Sequence, residues 1–227
     1  MAEADGSNEE AKGGSNCPLP HVGLGTRLRE ARQAANLGVR QLGRQLGLSA
    51  SLISQIELGR VAPSVSTLYA LTNALGVSMD SLFREQDGSA LDRRWSKGAD
   101  TRRSSVATAQ ELAFVQRRTS RRSIDLEQGV RWELLTPTPE PGAEFLEVVY
   151  PTGGSSSPTD HAVRHNGRDY CLILDGELSV QIGFEEHLLE TGDSLAFDAT
   201  LPHRFWNAGP VPVRAVWLVL ERAGLRV

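Results

Sequence analysis

The sequence predicts a two-domain α + β chain, with an all-helical module followed by an all-β one. Three observations carry that expectation. Apolar residues recur at helical spacing from Leu24 to Phe83, and at the alternating or continuous spacing of strands from Phe114 onward. Between them, residues 84–112 are rich in Arg, Ser, Ala, Asp and Gly and have no period. An aperiodic stretch of that length marks a linker and not the inside of a domain. Charge divides in the same way: residues 21–122 hold 16 basic and 8 acidic groups, whereas residues 123–227 hold 7 and 16. A positive first part joined to an acidic second part points to a polyanion partner for the first.

The length of 227 residues fits two domains. Residues 1–20, MAEADGSNEEAKGGSNCPLP, are acidic and rich in Gly, Ser and Asn, which predicts a disordered tail and provides no export signal. No apolar run approaches the length of a membrane span. Cys17 and Cys171 are far apart and form no C-x-x-C pair, as in proteins of a reducing compartment. A cytoplasmic location is therefore expected, with no membrane partner.

Five short helices are expected in residues 21–83. Leu24, Leu28, Ala31 and Ala35 give the first, interrupted by Asn36 and Gly38. Val39, Leu42 and Leu46 give the second, which Gly47 ends. Ser49 is a good N-cap for a third helix through Leu58, and Gly59 sits where a left-handed residue is wanted. A fourth runs from Ser64 to Leu75 with Val65, Leu68 and Leu71 inward, and Gly76 stops it. SMDSLF supplies the fifth, capped by Ser78.

A short helix, a tight glycine turn and a second short helix make a helix-turn-helix. The stretch VRQLGRQLGLSASLISQIELGRVAPSVSTLYALTNALGVSMDSLF resembles the phage-repressor-like (XRE) helix-turn-helix family, with G-L-S, I-S-x-I-E-x-G, P-S and L-G-V-S at the family's intervals. Three residues depart from the pattern. Gly38 and Val39 stand where many members have a Ser or Thr cap and a phosphate-binding Gln, and Gly43 replaces a small Ala. The resemblance implies that the third helix lies in the major groove of double-stranded DNA. On a helical wheel Leu52, Ile53 and Ile56 face the core, while Ser51, Ser54, Gln55 and Leu58 face away. Gln55 can then address an adenine edge, Ser51 and Ser54 can reach bases or phosphates, and Ser49 stands at the helix start. Arg40, Gln41, Arg44 and Arg60 flank the helix as backbone contacts. The resemblance also implies that Glu57 pairs with Arg32, a structural ion pair. A module this small implies a homodimer on a two-fold operator. In the linker, Arg93, Arg94, Lys97, Arg102 and Arg103 are expected to be solvated.

Residues 113–227 read as short strands: FLEVVY, YCLILDG, LSVQIG, HLLE, SLAFD, HRFWN and RAVWLVLE. Asp175-Gly176 signals a two-residue hairpin. Leu178, Val180 and Ile182 alternate with Ser179 and Gln181, so one face is buried, and RAVWLVL is apolar on both faces as a central strand should be. Regular strands without intervening helices predict a closed or double-sheet β fold. His165, Asp169 and Gly176 (H-x3-D-x6-G), then Gly192-Asp193, Pro202-His203 and Asn207, resemble the two halves of a cupin, a double-stranded β-helix or jelly roll. RWELLTP at 131–137 and the tail through RAVWLVLER are similar to the cupin domains fused to helix-turn-helix regulators.

That resemblance implies a pocket built on His165, Asp169 and His203. Val163 stands where the family's first histidine ligand would be, and Asp169 where it has a longer Glu. Two imidazoles and one carboxylate can still hold a divalent metal. Arg164, Tyr170 and Trp206 are not assigned to the pocket, and His161 is a possible substitute ligand. The expected function is a DNA-binding transcriptional regulator, not an enzyme, whose second domain senses a small-molecule effector, with or without a divalent metal beside it. The alternatives are a metal-dependent dioxygenase or isomerase with an accessory DNA-binding module, and a barrel that serves only as a dimerisation block.

Overall fold

The computed structural model describes residues 22–83, 114–138, 140, 142–158 and 161–221. The expected tail (1–20) and the linker (84–112), with its Arg93, Arg94, Lys97, Arg102 and Arg103, lie outside the described residues. Among those residues, no helix is long and apolar enough to cross a membrane.

Four α-helices form the first unit: α1 (Val22–Ala34), α2 (Val39–Leu46), α3 (Ala50–Glu57) and α4 (Val65–Leu75). Leu28, Leu42, Ile53, Ile56 and Leu68 are fully buried at their meeting point. The Ser49 hydroxyl accepts the Leu52 amide at 3.0 Å and the Ser64 hydroxyl accepts that of Thr67 at 3.2 Å, satisfying N–H groups that the first turn leaves unpaired. The turn between α2 and α3 explains Gly43. Its carbonyl accepts the Leu48 amide at 2.9 Å, and a Cβ there would lie 2.6 Å from the Leu48 carbonyl oxygen. Even alanine would force the two helices apart.

In place of a fifth α-helix there is a five-residue 3-10 helix, Met79–Phe83, and Ser78 contributes its carbonyl, accepting from the Ser81 amide and hydroxyl. Five residues are too few to offset the cost of starting an α-helix. The tighter 3-10 turn still buries Met79, Leu82 and Phe83 against the core.

The second unit has nine strands: β1 (Ser123–Asp125), β2 (Arg131–Leu134), β3 (Ala143–Tyr150), β4 (Arg168–Asp175), β5 (Leu178–Ile182), β6 (Glu185–Leu189), β7 (Ser194–Asp198), β8 (His203–Trp206) and β9 (Val213–Leu220). They form two antiparallel sheets, one ordered β1-β2-β3-β9-β4-β7 and one ordered β6-β5-β8. β9 is central, between β3 and β4, yet it is not buried on both sides. Val213, Ala215, Trp217 and Val219 are buried, whereas Arg214, Val216 and Leu218 are partly exposed on the outer face.

The hairpin expected at Asp175-Gly176 does not form. β4 pairs with β7 and β9, and β5 pairs with β6 and β8, so this dipeptide carries the chain from one sheet to the other. Gly176 has φ 82°, the left-handed conformation that Asp-Gly favours, but the turn becomes a corner of the barrel. The tight hairpin joins β5 to β6 instead, through Gly183 at φ 62°.

Candidate effector cavity and nucleic-acid interface

On the helical unit, the outward side of α3 and its flanks are polar. Arg40, Gln41, Arg44, Ser49, Ser51 and Arg60 are exposed, and Ser54 and Gln55 are half-buried. Leu58, at 45% exposure, shares that side, while Ile53 and Ile56 are buried and Leu52 packs partly buried beside them. Ser49 already uses its oxygen as the α3 cap, which leaves its hydroxyl proton for an acceptor in front of the helix. Gly38 begins α2 with no side-chain cap.

Arg32 grips Glu57 with both arms, Nε to Oε1 at 2.6 Å and Nη2 to Oε2 at 2.9 Å, and donates from Nη1 to the Leu37 carbonyl at 2.7 Å. Both side chains are nearly buried. The Glu57 hydrogen bond raises the Arg32 pKa against the opposing effect of burial. The pair fixes α3 on α1 and takes Glu57 out of reach of a ligand.

In the barrel, His165, Asp169 and His203 converge between the two sheets. Asp169 comes from β4, His203 from the first position of β8, and His165 from the segment before β4. Backbone bonds lock the segment in place. Val163 and His203 exchange N–H···O bonds at 2.8 and 3.0 Å, and the His165 amide donates to the Ala199 carbonyl at 3.0 Å. His165 Nε2 lies 3.4 Å and His203 Nε2 4.0 Å from Asp169 Oδ2. His161 is exposed and outside the cluster. Tyr170 and Trp206 are likewise outside the cavity, with Arg168 and Arg204 over their rings.

The two histidines are shifted in opposite directions. Burial pushes the His203 pKa down to about 4, so its ring is neutral. Its Nδ1 lies 2.9 Å from the Leu201 carbonyl, a contact that sets Nδ1 as the protonated nitrogen and leaves the Nε2 lone pair facing Asp169. Burial also opposes a charge on His165, but the hydrogen bond and charge of Asp169 outweigh it and raise the His165 pKa.

The surroundings are aromatic and apolar: Trp132, Tyr150, Phe205 and Trp217 line the cavity with Val163. Among the described residues, Asp169 Oδ1 and the indole nitrogens of Trp132 and Trp217 are buried without a hydrogen-bond partner. Asp169, which lines the cavity, therefore keeps an oxygen open to a further donor, a water or a cation. The donor set also fits a divalent cation: one atom from each of His165, Asp169 and His203 lies within 4.8 Å of the others, and Asp169 keeps a free oxygen.

The helical unit closes the cavity. Tyr69 of α4 stacks on His165 and packs edge-on to Trp132 at 6.0 Å. Its hydroxyl donates to Glu144 Oε2 at 3.2 Å. Burial raises Glu144 to about 7 although His165 and the Tyr69 hydroxyl favour its ionised form. With Tyr69 seated, the space left inside is about 30 Å³, room for a water molecule. Tyr69, Glu144, Trp132 and Trp217 were not picked out by sequence patterns. The available signal was Tyr69 four residues after Val65, which widens the apolar stripe of α4 beyond what one core needs.

Comparisons with known proteins agree with this division. Residues 23–85 match a helix-turn-helix domain family and residues 146–219 match the cupin domain family. The chain is 27% identical over 184 residues to the HTH-type transcriptional regulator PuuR of Escherichia coli (strain K12), covering 81% of this chain and 86% of that one. It is 25% identical over 186 residues to the HTH-type transcriptional regulator SutR of the same organism, covering 82% and 88%. The fold is similar to that of an HTH_3 family transcriptional regulator from Vibrio cholerae, with TM-score 0.59 and 18% identity over 90% of this chain and 98% of that one.

Proposed function

As an XRE-like helix-turn-helix regulator with a C-terminal cupin domain, the chain, we propose, binds a two-fold DNA operator as a homodimer in the cytoplasm and adjusts that binding to a small molecule held in the barrel. Residues 21–83 are the DNA reader, 84–112 the linker and 113–227 the effector domain. Gln55, Ser51 and Ser54 address base edges from α3, while Arg40, Gln41, Arg44, Ser49 and Arg60 hold phosphates. His165, Asp169 and His203 form the polar floor of the effector site. A divalent metal, if bound, is held by these three and supplies a Lewis-acidic anchor for an effector oxygen.

The observation that carries this reading is the buried cluster inside an aromatic cavity, with unpartnered polar atoms, bounded on one side by the helix that packs against α2. Dimer formation is supported by the outer face of the six-stranded sheet. Phe145, Leu218 and Tyr170 stand in one row across three strands, with Leu172 and Leu174 beside them, and all but Leu218 are more than a third exposed. The test is to select bound DNA from a random pool with the full chain, then compare affinity for selected and scrambled duplexes. Equal affinity for both would remove the regulator reading.

A barrel used only for dimerisation predicts a cavity filled by its own side chains. The remaining space is indeed small, but the group that completes the filling is Tyr69 of the DNA-binding unit. That favours the sensing version.

A further inference from the structure

We infer that Tyr69 belongs to the effector site as well as to the DNA-binding unit: an organic effector enters the cavity by displacing the Tyr69 ring, and this displacement is the step that reports occupancy to the helices. The inference rests on the reading of the cavity as the effector site. It does not depend on whether a metal is present.

The argument begins with space. About 30 Å³ remains open beside His165 while Tyr69 is seated, which holds one water and no organic molecule of several heavy atoms. Most of the barrel's lining comes from strands, and the segment carrying Val163 and His165 is held to His203 and Ala199 by backbone hydrogen bonds. Tyr69 is different, because it comes from α4 and crosses from one folded unit into the other. Its ring and polar contacts there are the stack on His165, the edge contact with Trp132 and the hydrogen bond to Glu144. Two backbone hydrogen bonds flank it, Ser66 N–H to the Ser156 carbonyl at 3.3 Å and Glu127 N–H to the Pro63 carbonyl at 2.9 Å. The buried apolar side chains of the two units run together through this seam, where Tyr69 and Val65 of α4 face the cavity.

The seat has the chemistry of a recognition site. A flat π-surface from His165 and a carboxyl at Glu144 already accommodate a phenol, with Asp169 paired to the far side of the contact through His165 Nε2. A ligand that offers a planar or apolar body and a hydrogen-bond donor would make the same contacts. Ligand and Tyr69 then exclude each other, and a ligand that binds only the undocked state shifts the equilibrium toward it. α4 packs on α1 and α2, so releasing it frees the helix-turn-helix unit from the barrel.

The probe is p-cresol, the side chain of tyrosine itself, measured by calorimetry on full-length protein. Tyr69→Ala vacates the seat. A second variant, Val61→Cys with Glu127→Cys and Cys17→Ser, holds the units together through a short bis-maleimide bridge near the Pro63–Glu127 contact. Tyr69→Ala is expected to bind p-cresol at least about tenfold more tightly than the wild type, because the wild type must first undock. The bridged chain is expected to lose binding, and the bridged chain that also carries Tyr69→Ala to regain it. Regain in that variant separates an empty seat from general loosening. Equal binding by bridged and unbridged chains with Tyr69 intact would overturn the displacement step alone. Absence of binding by Tyr69→Ala would remove the effector-site reading, and the displacement step with it.

Discussion

Tyr69 of the DNA-binding unit lies flat on His165 of the barrel, with ring centroids 4.4 Å apart and planes 6° apart. The same residue places its hydroxyl 3.2 Å from Glu144. Tyr69→Phe keeps the stack and removes the donor, leaving a buried carboxylate without it. Stability should fall by about 1–3 kcal/mol, read from chemical unfolding of the full chain.

Glu144 also gives the fold a pH dependence. Burial raises its folded pKa from 4.5 to about 7. Between those values the folded chain holds a proton that the unfolded chain has lost, so this group makes stability fall as pH rises through the interval. Glu144→Gln should flatten that slope and leave the variant more stable than the wild type at pH about 8, in the sense that linkage requires. Thermal unfolding followed across the range checks it; an unchanged slope would show that Glu144 is ionised throughout.

The Arg32–Glu57 pair has a different sign of consequence. Arg32 satisfies both Glu57 oxygens and the Leu37 carbonyl, so Arg32→Ala leaves a nearly buried carboxylate alone. The expected loss is about 3–5 kcal/mol. Arg32→Lys should recover little of it, since an ammonium cannot reproduce the two-pronged geometry. Near-wild-type stability of Arg32→Ala would show the pair to be solvated.

Much of the helical unit was legible because its signals are local. Ser49, Ser64, Gly47 and Gly76 mark helix ends through hydrogen bonds and backbone angles contained within a few residues. Asp175-Gly176 shows the limit of such signals. The dipeptide specifies a left-handed glycine, but which sheet receives the next strand depends on the partners of β5, which lie elsewhere in the chain. In the cavity, His165, Asp169 and His203 could be named from the resemblance to the cupin pattern. Tyr69 could not, because its period on α4 shows only that it is on a buried face and says nothing of a second unit across from it. Glu144 was equally silent: its burial follows from the inward side of β3, and its partner is 75 residues away.

At the DNA interface, Gln55→Ala should weaken binding to the selected duplex by roughly 1–3 kcal/mol with little change in salt dependence. Arg40→Ala should weaken binding to every duplex and flatten the salt slope, as the loss of a phosphate contact requires. Electrophoretic or fluorescence titrations at several salt concentrations separate the two. An equal loss for Gln55→Ala on selected and random DNA would reassign it to backbone contact.

The outer face of the six-stranded sheet supplies the test of assembly. Leu172 and Tyr170 project from β4 on the side opposite buried Cys171 and Ile173, so a charge at Leu172 disturbs no core residue. In a dimer joined through this face, Leu172→Asp would bury two aspartates against apolar side chains, a cost that separates the subunits. Sedimentation should then give the mass of one chain for the variant and of two for the wild type. Affinity for a two-fold site should fall with it, while affinity for a single half-site stays unchanged. A variant that remains dimeric would place the interface elsewhere, with the exposed tip of the β5–β6 hairpin around Phe184 as the next surface to charge.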